Sequence, residues 1–253
     1  VPTEVRSICV DCAGRGRGNL FGSARAARTR QWGSVRVSAQ TPVVTYAIIG
    51  VCVALWVGDI LTKGVITQYL GFTPIHGLYQ PWRILTTAFL HVNLMHIAFN
   101  MVSLYAVGRA LEPALGRGPY FCLYLLSALG GTLGVLGWVL IDPSSALTVT
   151  VGASGAIFGL FGAVFVLQRA AGIDVRAVAG LLAVNLLYGF IVSGVSWQAH
   201  LGGLLFGMLA TWGMLALGKP RSGMTAKKQR RRLYLGIAGM FLAELVILVV
   251  TYM

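Results

Sequence analysis

The stretch Thr150-Val-Gly-Ala-Ser-Gly-Ala-Ile-Phe-Gly-Leu-Phe-Gly162 places one hydroxyl group, that of Ser154, among glycines at the start of a long apolar run. The glycines at positions 152, 155, 159 and 162 form one stripe without side chains if the run is helical. Such a stripe lets a second backbone approach closely, which is how helices associate in lipid. Taken alone, the stretch fits a packing motif with an incidental serine as well as it fits a functional serine.

The composition of the whole chain indicates an integral membrane protein. The chain has 253 residues, of which 57% are hydrophobic and 11% are charged, whereas about a quarter of residues in soluble domains are charged. The net charge of +13 does not require a nucleic-acid partner, because the basic residues can be placed on one side of a membrane. No short apolar segment with a small-residue cleavage site precedes the first long one, so we expect no cleavable signal peptide.

Residues 1–42 form a basic tail rich in Gly, Ser and Ala, which predicts a mostly disordered segment. Within the tail, Cys9 and Cys12 form a C-x2-C pair, which is half of a zinc site. Tetrahedral zinc needs four ligands, and no second pair or nearby His follows in the sequence. We therefore interpret the pair as a remnant and predict neither a metal nor another cofactor.

Seven apolar segments of about the length that crosses a bilayer follow the tail. They predict an all-α membrane protein with spans at residues 43–61, 91–111, 120–141, 152–170, 176–193, 197–217 and 233–252. The first six spans belong to a helical core at 43–217, a basic cytoplasmic loop occupies 218–232, and the seventh span lies within 233–253. Pro and Gly interrupt the connection 62–90 too often for a span, so we expect an ordered loop in the membrane interface.

The basic residues predict the orientation of these spans. If the spans alternate in direction, every Lys and Arg except Lys63 and Arg83 falls on one side of the membrane. By the positive-inside bias, the N-terminus is then cytoplasmic and the C-terminus outside. In this orientation His96, Ser154 and His200 all lie within the first two turns of inward-running segments, at one depth near the outer surface. Polar residues that only form hydrogen bonds between neighbouring helices need not all lie at the same depth.

The residue types at this depth suit nucleophilic catalysis. Ser154 needs a base, and His200 lies on a segment whose own glycine stripe allows close approach to the Ser154 segment. No acidic residue lies obviously near His200 in the sequence, which favours a Ser–His dyad over a triad. His96, Asn100 one turn later and the backbone N–H of Ser154 can donate hydrogen bonds to an oxyanion.

These residues belong to a wider set of motifs. The set consists of Trp82-Arg83, His96-x3-Asn100, Gly108-x3-Glu112, Gly152-x-Ser154-Gly155 and Ala199-His200-x2-Gly203-x3-Gly207. Over roughly residues 80–215 it resembles the rhomboid family of intramembrane serine proteases. The resemblance implies a six-helix bundle, here followed by a seventh helix, with Ser154 as nucleophile and His200 as base.

The resemblance also implies roles for the remaining motif residues. His96 and Asn100 are implied to be oxyanion donors, and Trp82 with Arg83 to belong to a membrane-embedded loop. Structural roles are implied for Glu112, at the cytoplasmic end of the second span, and for His91.

Phe158 departs from the family pattern, which often has Tyr at this position, four residues after the serine. The family's tyrosine stacks on the catalytic histidine. Because Phe158 retains the aromatic ring, we expect stacking on His200 to survive. The tail departs as well, since Cys9 and Cys12 resemble part of an N-terminal zinc ribbon that has otherwise been lost.

The sequence therefore predicts a protease of a bacterial cell membrane that cuts transmembrane segments of other proteins near the outer leaflet. Its expected partners are those substrates and the lipid bilayer. A catalytically silent binder or chaperone of membrane helices is an alternative from another class, although such relatives usually lack the Ser or His present here. A transporter is disfavoured, because only Glu244 places an ionisable coupling group midway through the membrane.

The predicted orientation can be tested with single cysteines in a variant that lacks the four native ones. Ser144→Cys, between the third and fourth segments, should react with a membrane-impermeant thiol reagent in intact cells. Ser222→Cys, in the basic loop, should react only after the cells are permeabilised. The opposite labelling pattern would invert the protein and place Ser154 near the inner leaflet.

Overall fold

The computed structural model describes residues 30–32, 35–37, 41–192 and 194–253. Two short strands, β1 (Arg30–Trp32) and β2 (Val35–Val37), pair antiparallel. This hairpin differs from the mostly disordered tail that the composition predicts, and the two valines of β2 have the β-branched side chains that favour strands. Cys9 and Cys12 lie outside the described residues, so the remnant zinc pair stays a prediction.

The rest of the described chain is built from helices. Helices α1 to α9 span, in order, Val43–Leu61, Val65–Leu70, Arg83–Thr86, Leu94–Leu115, Arg117–Val139, Ser154–Ala170, Arg176–Ile191, Trp197–Gly218 and Ala226–Tyr252. Three 3-10 turns lie at Pro74–His76, Thr87–Phe89 and Pro143–Leu147. Among the described residues, α1, α4, α5, α8 and α9 are long and apolar enough to cross a membrane, and α6 and α7 are shorter apolar helices. The chain is therefore a helical, multi-pass membrane protein.

Helices α4 and α6 begin later than the predicted spans. α6 begins at Ser154 rather than at residue 152, because Gly152 has a φ of +135°, which a helix cannot contain. α4 begins at Leu94, because the side chain of Asn93 caps the helix by accepting a hydrogen bond from the N–H of His96 at 2.8 Å.

α9 begins earlier than predicted. Thr225 caps it by accepting a hydrogen bond from the N–H of Lys228. Residues 226–232, which the sequence assigned to the basic loop, therefore form the first two turns of α9. The reason is that Lys, Arg and Gln are good helix formers, so a cluster of basic residues does not by itself end a helix.

Helices α6 and α8 contact each other backbone to backbone at glycines. A β-carbon added to Gly203 would collide with the carbonyl group of Gly155, and one added to Gly207 would collide with the backbone of Gly159. Glycine is therefore needed on both helices for this approach. In lipid, such contacts replace the hydrophobic driving force that joins helices in water.

Helix α5 holds α8 from another side and forms the centre of the bundle. A β-carbon at Gly202 of α8 would collide with the carbonyl group of Gly130 and lie 2.9 Å from the backbone of Gly134. In its most apolar stretch, α5 has 67% of its residues buried inside the protein, compared with 17% for α1 and α9. Helices α1 and α9 thus lie at the periphery of the bundle.

The buried carboxylate of Glu112, near the end of α4, ties α1 to this centre. It accepts hydrogen bonds from the N–H groups of Val44 and Thr45 at 2.9 and 2.8 Å and from the Thr45 hydroxyl at 2.8 Å. These N–H groups lie in the first turn of α1, whose preceding residue, Pro42, supplies no side-chain cap. A carboxylate at this position satisfies free amides and interacts favourably with the helix dipole.

Gly207→Ala should destabilise the bundle, because its methyl group has no room beside Gly159 and α6 and α8 must move apart. We expect a loss of about 1–3 kcal/mol in the free energy of unfolding. The matched control is Gly180→Ala on α7, where nothing lies within 4 Å of the added methyl group. Unfolding of the purified proteins in detergent micelles measures the difference, and equal stability of the two variants would contradict the close approach of α6 and α8.

Candidate active site

The residues that lead into α6 are held by the connection between α1 and α4. Phe72 and Thr150 form an isolated antiparallel bridge, with N···O distances of 3.1 and 2.7 Å. The hydroxyl group of Thr87 also donates to the carbonyl of Thr150, and the carbonyl of Thr87 accepts the N–H of Gly152 at 3.0 Å. The backbone just before α6 is therefore held by hydrogen bonds to two separate segments of the chain.

Ser154 and His200 lie within hydrogen-bonding distance of each other. Ser154 is the first residue of α6, and its Oγ lies 2.8 Å from Nε2 of His200, in the first turn of α8. His200 is 7% exposed and Ser154 is half-buried. If the hydroxyl donates to Nε2, the imidazole can take the proton of Ser154 as the oxygen attacks a carbonyl carbon.

The imidazole ring of His200 is oriented by packing. Phe158, one turn after Ser154, stacks on it with ring centroids 4.2 Å apart and ring planes inclined by 11°. Nδ1 of His200 is buried and has no hydrogen-bond partner among the residues that the structure describes. A β-carbon at Gly189 of α7 would lie 3.5 Å from that atom. An aromatic face and a neighbouring helix backbone thus surround the ring.

His96 reaches the same place from α4. A β-carbon added to Gly152 would lie 2.8 Å from Nε2 of His96 and 3.6 Å from Oγ of Ser154. The glycine is needed for two reasons, since its φ of +135° is unfavourable for other residues and its missing side chain leaves room for the imidazole. Nε2 of His96 therefore lies beside the serine, where a donor can face the oxygen of a tetrahedral intermediate.

Asn100 and His91 contact His96 in the structure. The amide nitrogen of Asn100, which is 7% exposed, donates to the backbone carbonyl of His96 at 2.8 Å. His91 is 2% exposed and packs edge to face on the ring of His96, with centroids 5.0 Å apart. Neither ring nitrogen of His91 has a hydrogen-bond partner among the described residues. His91 therefore restrains the His96 ring by packing.

Trp82 and Arg83 hold the loop next to the site. Nε1 of Trp82 donates to the carbonyl of Tyr69 at 3.1 Å. Arg83 is 7% exposed, and its Nη1 donates to the carbonyl of Gly71 at 2.6 Å while its Nε donates to the side chain of Gln80. Both residues thus bind carbonyl or amide oxygens of the loop.

The sequence motifs did not indicate Phe72 or Thr87. Neither residue lies in a helical stripe, and each contacts a partner far away in the sequence, so spacing gives no signal for them. A signal did exist for the α5–α8 contact, because Gly130 and Gly134 form a small-xxx-small pattern.

Comparisons with known proteins identify the family of this chain. Residues 79–217 match the family model of the rhomboid domain. The chain is 34% identical over 155 residues to the rhomboid protease GluP of Bacillus subtilis (strain 168), and the match covers 58% of this chain and 28% of GluP. YdcA of the same organism is 35% identical over 184 residues, which are 68% of this chain and 87% of that protein. The rhomboid protease AarA of Providencia stuartii is 30% identical over 152 residues, which are 51% of this chain and 54% of AarA.

The family model covers more than half of the chain, so the chain belongs to the rhomboid family. It is a multi-pass membrane protein with a serine and a histidine in contact at one end of two glycine-packed helices. The chain spans little more than a quarter of the length of GluP and about half of AarA.

Proposed function

We propose that this chain is an intramembrane serine protease that hydrolyses peptide bonds in or near transmembrane segments of other membrane proteins. The observation that carries the proposal is the 2.8 Å contact between Oγ of Ser154 and Nε2 of His200 in a member of the rhomboid family. A hydroxyl group and an imidazole in this arrangement form the minimum unit of acyl-transfer catalysis.

Ser154 is the nucleophile and His200 the general base. Oγ attacks the carbonyl carbon of the scissile bond while its proton passes to Nε2. The tetrahedral intermediate collapses as Nε2 gives that proton to the leaving nitrogen, and an ester remains on Ser154. A water molecule then attacks the ester, again with His200 as base, which releases the new carboxyl end and restores the hydroxyl group.

Donors for the negative oxygen come from α6 and α4. The N–H of Ser154 lies at the first position of α6, where the helix does not use it and the helix dipole is positive. Nε2 of His96 adds a second donor. Asn100 uses one of its two amide hydrogens on the carbonyl of His96, and the other is available to the intermediate.

The pair acts as a dyad without a carboxylate. In a Ser-His-Asp triad the carboxylate holds the imidazole in its productive orientation. Stacking on Phe158 and the restricted space at Gly189 can supply that orientation for His200.

We further propose that the protein lies in the bacterial plasma membrane with a cytoplasmic N-terminus and its C-terminus outside. The packing supports a common end for two of the basic segments, because Gly118, next to Arg117, lies against Tyr234, two residues after Arg232. Ser154 lies at the opposite end of the helices. The six-helix core at 43–217 would then cut its substrates near the outer leaflet.

Ser154→Ala and His200→Ala should each reduce cleavage to the background rate, and the double variant should be no worse, because the two side chains act as one chemical unit. The measurement is cleavage of a model transmembrane substrate by the protein in liposomes. Ser127→Ala is the matched control, since Ser127 is a fully buried serine on α5 whose Oγ has no hydrogen-bond partner among the described residues. Wild-type turnover in Ser154→Ala would refute the proposal, and substrate binding without cleavage by the wild type would favour a helix-binding protein.

Asn100→Ala should lower kcat by roughly 10–10³-fold while Ser154 still reacts with a covalent probe, because an oxyanion donor acts on the transition state. Asn185→Ala is the control, since Asn185 on α7 also donates to the carbonyl four residues earlier, at the same distance of 2.8 Å. If both variants turned over substrate at the wild-type rate, Asn100 would have no place in the oxyanion site.

A further inference from the structure

We propose that Tyr252, in the last turn of α9, is a positioning residue for the active site. Its hydroxyl group holds the loop that pairs with the residues leading to Ser154. The inference rests on the proposed function and assigns a role to the seventh long helix, for which the sequence motifs gave none.

The contact joins two distant parts of the chain. The hydroxyl group of Tyr252 donates to the carbonyl of Pro74 at 2.9 Å, across 178 residues of sequence. Gly77, in the same loop, packs directly on the phenol, and a β-carbon there would collide with the phenol oxygen. The loop therefore surrounds the end of the Tyr252 side chain on two sides.

Apolar packing supports the same attachment. Leu248, one turn before Tyr252, is 6% exposed and shares one apolar cluster with Phe72, and Phe241 and Tyr252 pack against that cluster. Residues 241, 248 and 252 lie on one face of a helix. This face of α9 thus holds the loop by contact area, and the hydroxyl group of Tyr252 fixes its position.

A short stretch of backbone connects this attachment to the site. Pro74 lies two residues after Phe72, which is fully buried and exchanges both bridge hydrogen bonds with Thr150. Two residues after Thr150 comes Gly152, whose backbone lies against His96. A shift of the loop at Pro74 would therefore displace residues 150–152. Gly152 would then no longer be held in its position beside His96, the proposed oxyanion donor.

The rest of α9 is attached elsewhere. Gly236 lies against Leu217 and Gly213 against Met240, so the other half of α9 packs on α8 without help from Tyr252. Removing the hydroxyl group should leave the helix in place and free only the loop. The expected defect is therefore in kcat, with KM unchanged.

The test compares Tyr252→Phe with Tyr234→Phe, the same substitution in the first half of α9, where the phenol lies beside Gly118. In liposomes, Tyr252→Phe should lower kcat for a model transmembrane substrate about 5-fold, as expected for one lost hydrogen bond, and Tyr234→Phe should not. Gly77→Ala should lower kcat by displacing the phenol, and the double variant with Tyr252→Phe should lose no more than the worse single one. Unchanged kcat in Tyr252→Phe, or additive losses in the double variant, would overturn the inference.

A second measurement does not depend on activity. A spin label at Ile75→Cys, a loop position that is 52% exposed, should become more mobile in Tyr252→Phe and stay unchanged in Tyr234→Phe, both in a variant without the native cysteines. Unchanged mobility in Tyr252→Phe would overturn the inference by itself. If the wild type cleaved nothing, the proposed function would be wrong, and Tyr252 would have no role in catalysis. The mobility of the spin label would still show whether the hydroxyl group of Tyr252 holds the loop.

Discussion

The backbone contact between α6 and α8 is the constraint on which the rest of the structure depends. Lipid gives apolar side chains no reason to prefer one another, so two helices come together closely only where side chains are absent. Gly155 follows Ser154 directly, and Gly203 lies three residues after His200. Contact between these two glycines therefore sets the distance of 2.8 Å between the hydroxyl oxygen and the imidazole nitrogen. The contact between Ser154 and His200 thus depends on the close packing of two helix backbones.

The irregular backbone that leads to Ser154 must have its hydrogen bonds satisfied within the protein. Phe72 and Thr150 pair with each other, and Thr87 accepts the N–H of Gly152. Arg83 donates to a loop carbonyl with a side chain that is almost fully buried. The loop thus pairs backbone groups that no helix satisfies. The same hydrogen bonds hold the residues that precede α6.

The sequence predicts the helices well, because apolar length and glycine spacing are local signals. It also predicts that Ser154 and His200 lie near each other, since both stand near the starts of segments that run in the same direction. The contacts of Phe72 and Thr87 could not be predicted, because pairing between distant loop segments leaves no periodic pattern. Spacing placed Asn100 on the face of His96, but only the structure shows that its amide bonds to the backbone of its own helix.

The central claim is that His200 makes Ser154 nucleophilic within the membrane. The most direct measurement is mass-spectrometric mapping of a fluorophosphonate adduct on the protein in lipid bilayers, for the wild type and for His200→Ala. We expect one adduct on the wild type, at Ser154, and none on His200→Ala. An adduct at another residue, or equal labelling of Ser154 without the imidazole, would contradict the claim.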